Sequence, residues 1–105
     1  MTEKSRMELL QEMVDQDPND DFARYGLALE LKKSGHVDGA LAQLNELIAR
    51  HPNYVPAYFM SGQYLAEEDR IEEAKLRLQQ GIEVAERVGD RHAHAEMQDY
   101  LESLE

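Results

Sequence analysis

"HPNYVPAY", residues 51–58, sets two prolines four residues apart in a chain that otherwise reads as helix. A weaker form of the same stretch, "DPNDDFAR", occupies residues 17–24. Proline lacks the backbone N–H and pushes the residue before it out of the helical region. Pro52 therefore ends one helix at His51. Pro56 falls in the first turn of the next, where the missing N–H costs little. A helix stopped and restarted so abruptly is a joint between two stacked elements, and Pro18-Asn19 recurs as Pro52-Asn53 after a 34-residue step.

Outward from this joint, apolar spacing predicts six helices. The first spans about Ser5–Gln16, with Met7, Leu10, Met13 and Val14 on one stripe. The second spans about Asp21–Lys33 and is closed by Gly35, a left-handed C-cap. The third spans about Val37–Arg50, with Ala40, Leu41, Leu44, Leu47 and Ile48 inward. Asn53 is the expected cap of the fourth, which reaches about Glu68. Asp69 with Glu72 forms an expected N-cap signal for the fifth, from near Arg70 to about Val88. Gly89-Asp90 separates a sixth, carrying Ala93, Met97, Tyr100, Leu101 and Leu104.

The 34-residue step extends well past the prolines. It aligns Leu10, Leu44 and Leu78, then Val14, Ile48 and Ile82, then Ala40 with Ala74 and Leu31 with Leu65. A two-helix unit of this period is that of a tetratricopeptide array, and the chain resembles that family. Residues 21–54 give Arg24, Leu27, Ala28, Leu31, Ala40, Leu44 and Pro52 at the motif positions. Residues from 55 onward give Tyr58, Ser61, Gly62, Leu65, Ala74 and Leu78, with Glu86 in place of the closing proline. Arg24 stands where the family has a large aromatic residue and Ser61 where it has a core leucine. The last helix fits only when set about two residues late.

The expected architecture is an all-α solenoid of stacked antiparallel hairpins within one domain, residues 1–105. Residues 1–20 would form a leading helix, 21–54 and 55–88 two repeats, and 89–105 a capping helix. Ala28, Gly62, Ala40 and Ala74 are expected to be small where paired helices cross, with Leu44 and Leu78 beside them. One hairpin cannot bury its apolar face, but a stack of them can.

Composition narrows the function classes. The 105 residues suit one domain, and 42% apolar with 31% charged residues suits a folded chain. Eleven basic residues against 22 acidic ones give a net charge of −11, a field that repels nucleic acid and anionic membrane. The N-terminal "MTEKSRMELLQEM" lacks the apolar run of a secretory signal, and no stretch nears the ~18 apolar residues of a membrane span. With no cysteine, a reducing compartment fits and the cytoplasm is the expected location.

No motif points to catalysis. There is no nucleophile elbow, phosphate-binding glycine loop or His-Glu-x-x-His zinc motif, and none of the four serines is set beside a base. The best metal candidate is His92 with Glu96 and Asp99 on one helical face, set against the plainer reading of solvent-exposed polar residues. His36 and His51 read as helix-end residues, and the acidic run at 67–73 as a solvated turn. No cofactor, metal or enzymatic activity is expected.

What the resemblance implies is a binding module. In the family, the first helix of each hairpin lines a concave groove that holds a peptide or helix of a partner. Here that face would carry Phe22, Tyr25, Leu29 and Lys32, then Phe59, Met60 and Gln63. A chaperone-binding subgroup uses a carboxylate clamp of Lys, Asn and Arg. Tyr25, Leu29 and Met60 occupy the places of those donors, so the clamp is not expected. The apolar stripe reads either as packing against the next hairpin or as an open adaptor surface for a partner with basic flanks. The same face could instead close a homodimer.

Overall fold

The computed structural model describes residues 3–105. Its six helices are α1 (Arg6–Gln16), α2 (Asp21–Lys33), α3 (Val37–Arg50), α4 (Val55–Glu67), α5 (Ile71–Val88) and α6 (Arg91–Ser103). No strand occurs among the described residues. Each helix packs on its neighbours in the chain, and α4 also meets α6. The molecule measures 50 × 29 × 19 Å, and its thinnest dimension is about two helix diameters. This is the all-α solenoid of helix hairpins that the sequence predicts.

Packing at the hairpin crossings explains the small residues. Ala28, Ala40, Ala74, Leu44 and Leu78 are all fully buried. A Cβ placed on Gly62 would stand 2.7 Å from both Cγ and Cδ2 of Leu78, so only glycine lets α4 and α5 approach this closely. Gly81 on α5 is held in the same way, 2.6 Å from Cβ of Tyr58 and from Sδ of Met97 by the same construction. In α1 the burial is narrower than the sequence suggests. Leu10 and Val14 are buried, but Met13 is exposed, as is Leu9, because α1 packs chiefly on α2.

The joints repeat atom for atom. Asp20 N donates to Asp17 O, and one repeat on Tyr54 N donates to His51 O, both at 3.0 Å. Arg24 is buried, its Nη2 donating to Pro18 O at 2.9 Å and its Nη1 to Gln43 Oε1 at 2.7 Å. At the equivalent position Tyr58 donates from its hydroxyl to Pro52 O at 2.7 Å. The positive charge has moved to the partner helix: Arg77, in the place of Gln43, acts electrostatically on the Tyr58 phenol. Arginines also hold both joint asparagines, Arg50 Nη1 to Asn19 Oδ1 at 2.7 Å and Arg87 Nη2 to Asn53 Oδ1 at 2.8 Å.

Two expected caps are corrected. Asn53 does not cap α4; Tyr54 holds the cap position without a side-chain acceptor, and Pro56 removes one of the donors that would need one. Asp69 does not cap α5 either. Arg70 is the cap residue, and Asp69 takes the left-handed backbone with φ 60°, as Gly35 does with φ 84° in the preceding hairpin. The turn is closed identically in both, by His36 N to Leu31 O (2.8 Å) and by Arg70 N to Leu65 O (2.9 Å).

The second hairpin then departs from the first. α5 has 18 residues where α3 has 14, so it runs one turn further. α6 accordingly starts late, and the fully buried Met97 takes the place that Ser61 holds in the preceding hairpin, displaced along the chain by the longer α5.

Candidate functional site

The face shared by α2, α4 and α6 gathers the residues expected to bind, but to different degrees. Phe22 is 67% exposed at its edge. Tyr25 and Leu29 are half-buried, with the Tyr25 ring tilted against Tyr54 at a centroid distance of 5.5 Å. Lys32 is not a free cation. Its Nζ lies 2.7 Å from a carboxylate oxygen of Glu67 and 5.0 Å from the centre of the Tyr64 ring. Phe59 meets Tyr100 of α6 at 5.9 Å, so the third helix covers part of this stripe. Met60 is half-buried against the core cluster that includes Leu44, Leu47 and Leu65, and Gln63 is half-buried three residues further along α4.

Sequence reasoning missed four members of this face: Tyr54, Tyr64, Glu67 and Tyr100. Tyr54 was hidden because it sits at a joint. Tyr100 was recoverable from Tyr64 by a step slightly longer than the repeat, in the late register of the last helix. Glu67 falls in the acidic run read as a solvated turn.

The tyrosines set the electrostatics. Burial pushes the phenols of Tyr25, Tyr54, Tyr64 and Tyr100 above the ordinary value of 10.0. After burial, Asp21 raises Tyr54, and Glu67 raises Tyr64 and Tyr100. All four hydroxyls are therefore neutral at physiological pH. Of the five tyrosines, only Tyr58 makes a side-chain hydrogen bond among the described residues. The face thus offers aromatic area and unpaired hydroxyls, with Asp21 near one end and Glu67 near the other.

The metal candidate does not assemble. His92 Nε2 pairs with Glu96 Oε1 at 3.0 Å on an exposed helix surface. Among the described residues no group of three His, Cys, Asp or Glu side chains converges to hold a metal. His51 Nε2 lies 2.9 Å from Asn19 O, a joint contact, and His36 caps α3 without a side-chain bond. None of the described helices is long and apolar enough to cross a membrane.

A model of the tetratricopeptide repeat family matches residues 2–57. The chain is 38% identical to a tetratricopeptide repeat domain protein from Salinibacter ruber, over 85% of this chain and 90% of that one, with a TM-score of 0.81.

The chain belongs to the tetratricopeptide repeat family.

Two further tetratricopeptide-like structures share the fold. The TPR2B domain of yeast Sti1, solved in complex with pHsp70, superposes with a TM-score of 0.85 at 22% identity, over 93% of this chain and 78% of that one. The Yersinia enterocolitica type III secretion translocator chaperone SycD gives 0.84 at 16% identity, over 93% and 68%. No curated protein matches the chain. As a tetratricopeptide repeat protein, it is a protein-interaction module.

Proposed function

We propose that the α2–α4–α6 face is a groove for a short apolar segment of a partner protein, extended or helical, and that the chain acts as an adaptor or scaffold. The observation that carries this reading is Phe22, a large apolar side chain left 67% exposed beside the tyrosine row. Exposed aromatic residues next to rigid rings are what binding surfaces use as anchors. Phe22, Tyr25, Leu29 and Met60 supply the apolar contact; Gln63 and the free tyrosine hydroxyls supply hydrogen bonds. Phe59 holds Tyr100 in place and contributes through it. Lys32, tied to Glu67, shapes the groove rather than meeting an anion.

Asp21 and Glu67 within a chain of net charge −11 favour basic residues flanking the segment, mainly through association rate. Structures of this fold include a domain solved in complex with pHsp70 and a translocator chaperone, which supports a protein partner. The reading includes one repeat domain over residues 1–105, with repeats at 21–54 and 55–88, and a cytoplasmic location.

The test is photo-crosslinking in cells, with benzoylphenylalanine in place of Phe22 and, as control, in place of Val88 on the end of α5. A protein captured from position 22 and lost in a Tyr25→Ala/Phe59→Ala background that circular dichroism shows to be folded supports the groove. Equal capture from both positions would sink it. If the captured species is a second copy and sedimentation shows a concentration-dependent dimer, the face is a homodimer interface instead.

A further inference from the structure

A second site lies away from this groove. Ser61 and Leu65 of α4 face α3 and α5; Ser61 stands two residues from both Phe59 and Gln63, which on a helix places it on the opposite side. There the three helices form a half-open cavity of about 190 Å³. Leu41, Leu65 and Leu76 form its apolar wall, with Leu76 58% exposed at the surface.

Two polar groups at the cavity are under-used. Ser61 is fully buried, and its hydroxyl has no partner among the described residues, a condition native interiors rarely tolerate; with no accessible surface it lies behind the cavity wall. Arg77 is half-buried and donates to Asn45 Oδ1 at 3.0 Å, but has no carboxylate partner among the described residues. The other charges lining the cavity cancel, since Arg70 Nε and Nη2 bond Glu73 at 2.5 and 3.0 Å. A surplus of one positive charge therefore remains within a strongly acidic chain. Burial also lowers the Arg77 pKa from its ordinary value, the mark of a desolvated cation.

We propose that this cavity binds a single carboxylate carried on a short branched apolar body, with Arg77 donating to its oxygens and Leu41, Leu65 and Leu76 flanking the body. One net charge matches a monoanion better than a phosphate dianion. The planar guanidinium fork matches carboxylate geometry. The volume is smaller than the about 300–1,000 Å³ of drug-sized pockets, so the occupant is of side-chain size. It comes either from a free small acid or from a partner's glutamate next to leucine. This proposal stands apart from the groove.

The experiment is an amide-resolved NMR titration of the whole chain with 4-methylvalerate, and with the neutral 4-methylvaleramide as control. A parallel arm uses acetyl-Leu-Glu-Leu-amide against its glutamine analogue. Saturable shifts of Asn45, Ser61 and Arg77 are expected from the acid or from the Glu peptide, and not from the neutral analogues. Saturation by the acid alone assigns a free small molecule; tighter binding of the Glu peptide assigns a partner side chain. Arg77→Gln should weaken binding about tenfold or more. The acid-versus-amide comparison uses the unaltered protein, so it holds even if a variant unfolds. Equal shifts from charged and neutral probes, or no saturable shift from either carboxylate, would overturn the proposal.

Discussion

Arg24 and Tyr58 stand one repeat apart and donate to equivalent carbonyls of successive joints, Pro18 O and Pro52 O. One is a cation and the other a phenol, yet both reach the first turn of the joint from the first helix of a hairpin. The joint therefore selects for a long side chain with a donor at its tip rather than for an aromatic ring as such. Tyr58→Phe should lose about 1 kcal/mol by leaving Pro52 O unbonded. Arg24→Ala should lose more, about 2–3 kcal/mol, because Gln43 also loses its partner and a void opens. Arg24→Tyr should lose less than Arg24→Ala, because a phenol can still donate to Pro18 O while Gln43 is left without its guanidinium. Urea denaturation of the three variants checks the order.

Gly62→Ala should destabilise by about 1–3 kcal/mol, because Leu78 is fully buried and cannot withdraw. Gly26→Ala is the internal control. The nearest atom to its new Cβ would be Cδ2 of Leu10, 3.2 Å away at the end of a side chain, and alanine favours helix. Thermal melts should separate the two by several degrees.

Asp69→Gly should raise stability by a few tenths to about 1 kcal/mol. Asp69 holds a left-handed backbone that glycine adopts without strain, as Gly35 does at the matching turn. No large side-chain contact is lost, since Asp69 is exposed. A higher urea midpoint with unchanged slope is the expected reading.

Stability should fall as pH rises past about 10, and not before on account of these groups. All five tyrosines have folded pKa values raised by burial above the ordinary 10.0. Above that value the unfolded chain gives up phenolic protons first, so it binds fewer protons than the native state and gains relative to it. Below it both states are fully protonated and the phenols contribute no slope. Tyrosine ultraviolet titration of the folded protein should give midpoints above those of the urea-unfolded chain.

Phe22→Ala should leave stability within about 0.5 kcal/mol, since the ring is mostly solvent-exposed. Phe59→Ala should cost about 3 kcal/mol, because its ring packs on Tyr100 and on the core cluster that includes Tyr58, Leu78 and Met97. Comparing melting curves for this pair tells the exposed anchor from the buried support.

The ends of α2 and α3 were legible to the residue because Gly35 and Pro52 are unambiguous punctuation. The start of α5 was not, because aspartate is both a good cap and the residue, after glycine and asparagine, most able to adopt left-handed backbone. Setting Asp69 against Gly35 at the matching turn of the neighbouring repeat resolves that ambiguity. On the α2 side of the proposed face, the family resemblance is what points to Phe22, Tyr25 and Leu29. Its α6 side was obscured because α5 is a turn longer than α3, which shifts Tyr100 off the simple period. The cavity around Ser61 could not be read at all, since a serine at a core position says nothing about whether its hydroxyl is satisfied.

The migration of the buried cation from Arg24 on the first helix of one hairpin to Arg77 on the second helix of the next limits how such chains can be recombined. Grafting α2 against α5 would crowd two guanidinium groups into one crossing. Grafting α4 against α3 would leave a phenol facing an amide with no cation at all. Only whole hairpins are exchangeable parts, and any shuffling of this solenoid, by design or by descent, has to cut at the proline joints.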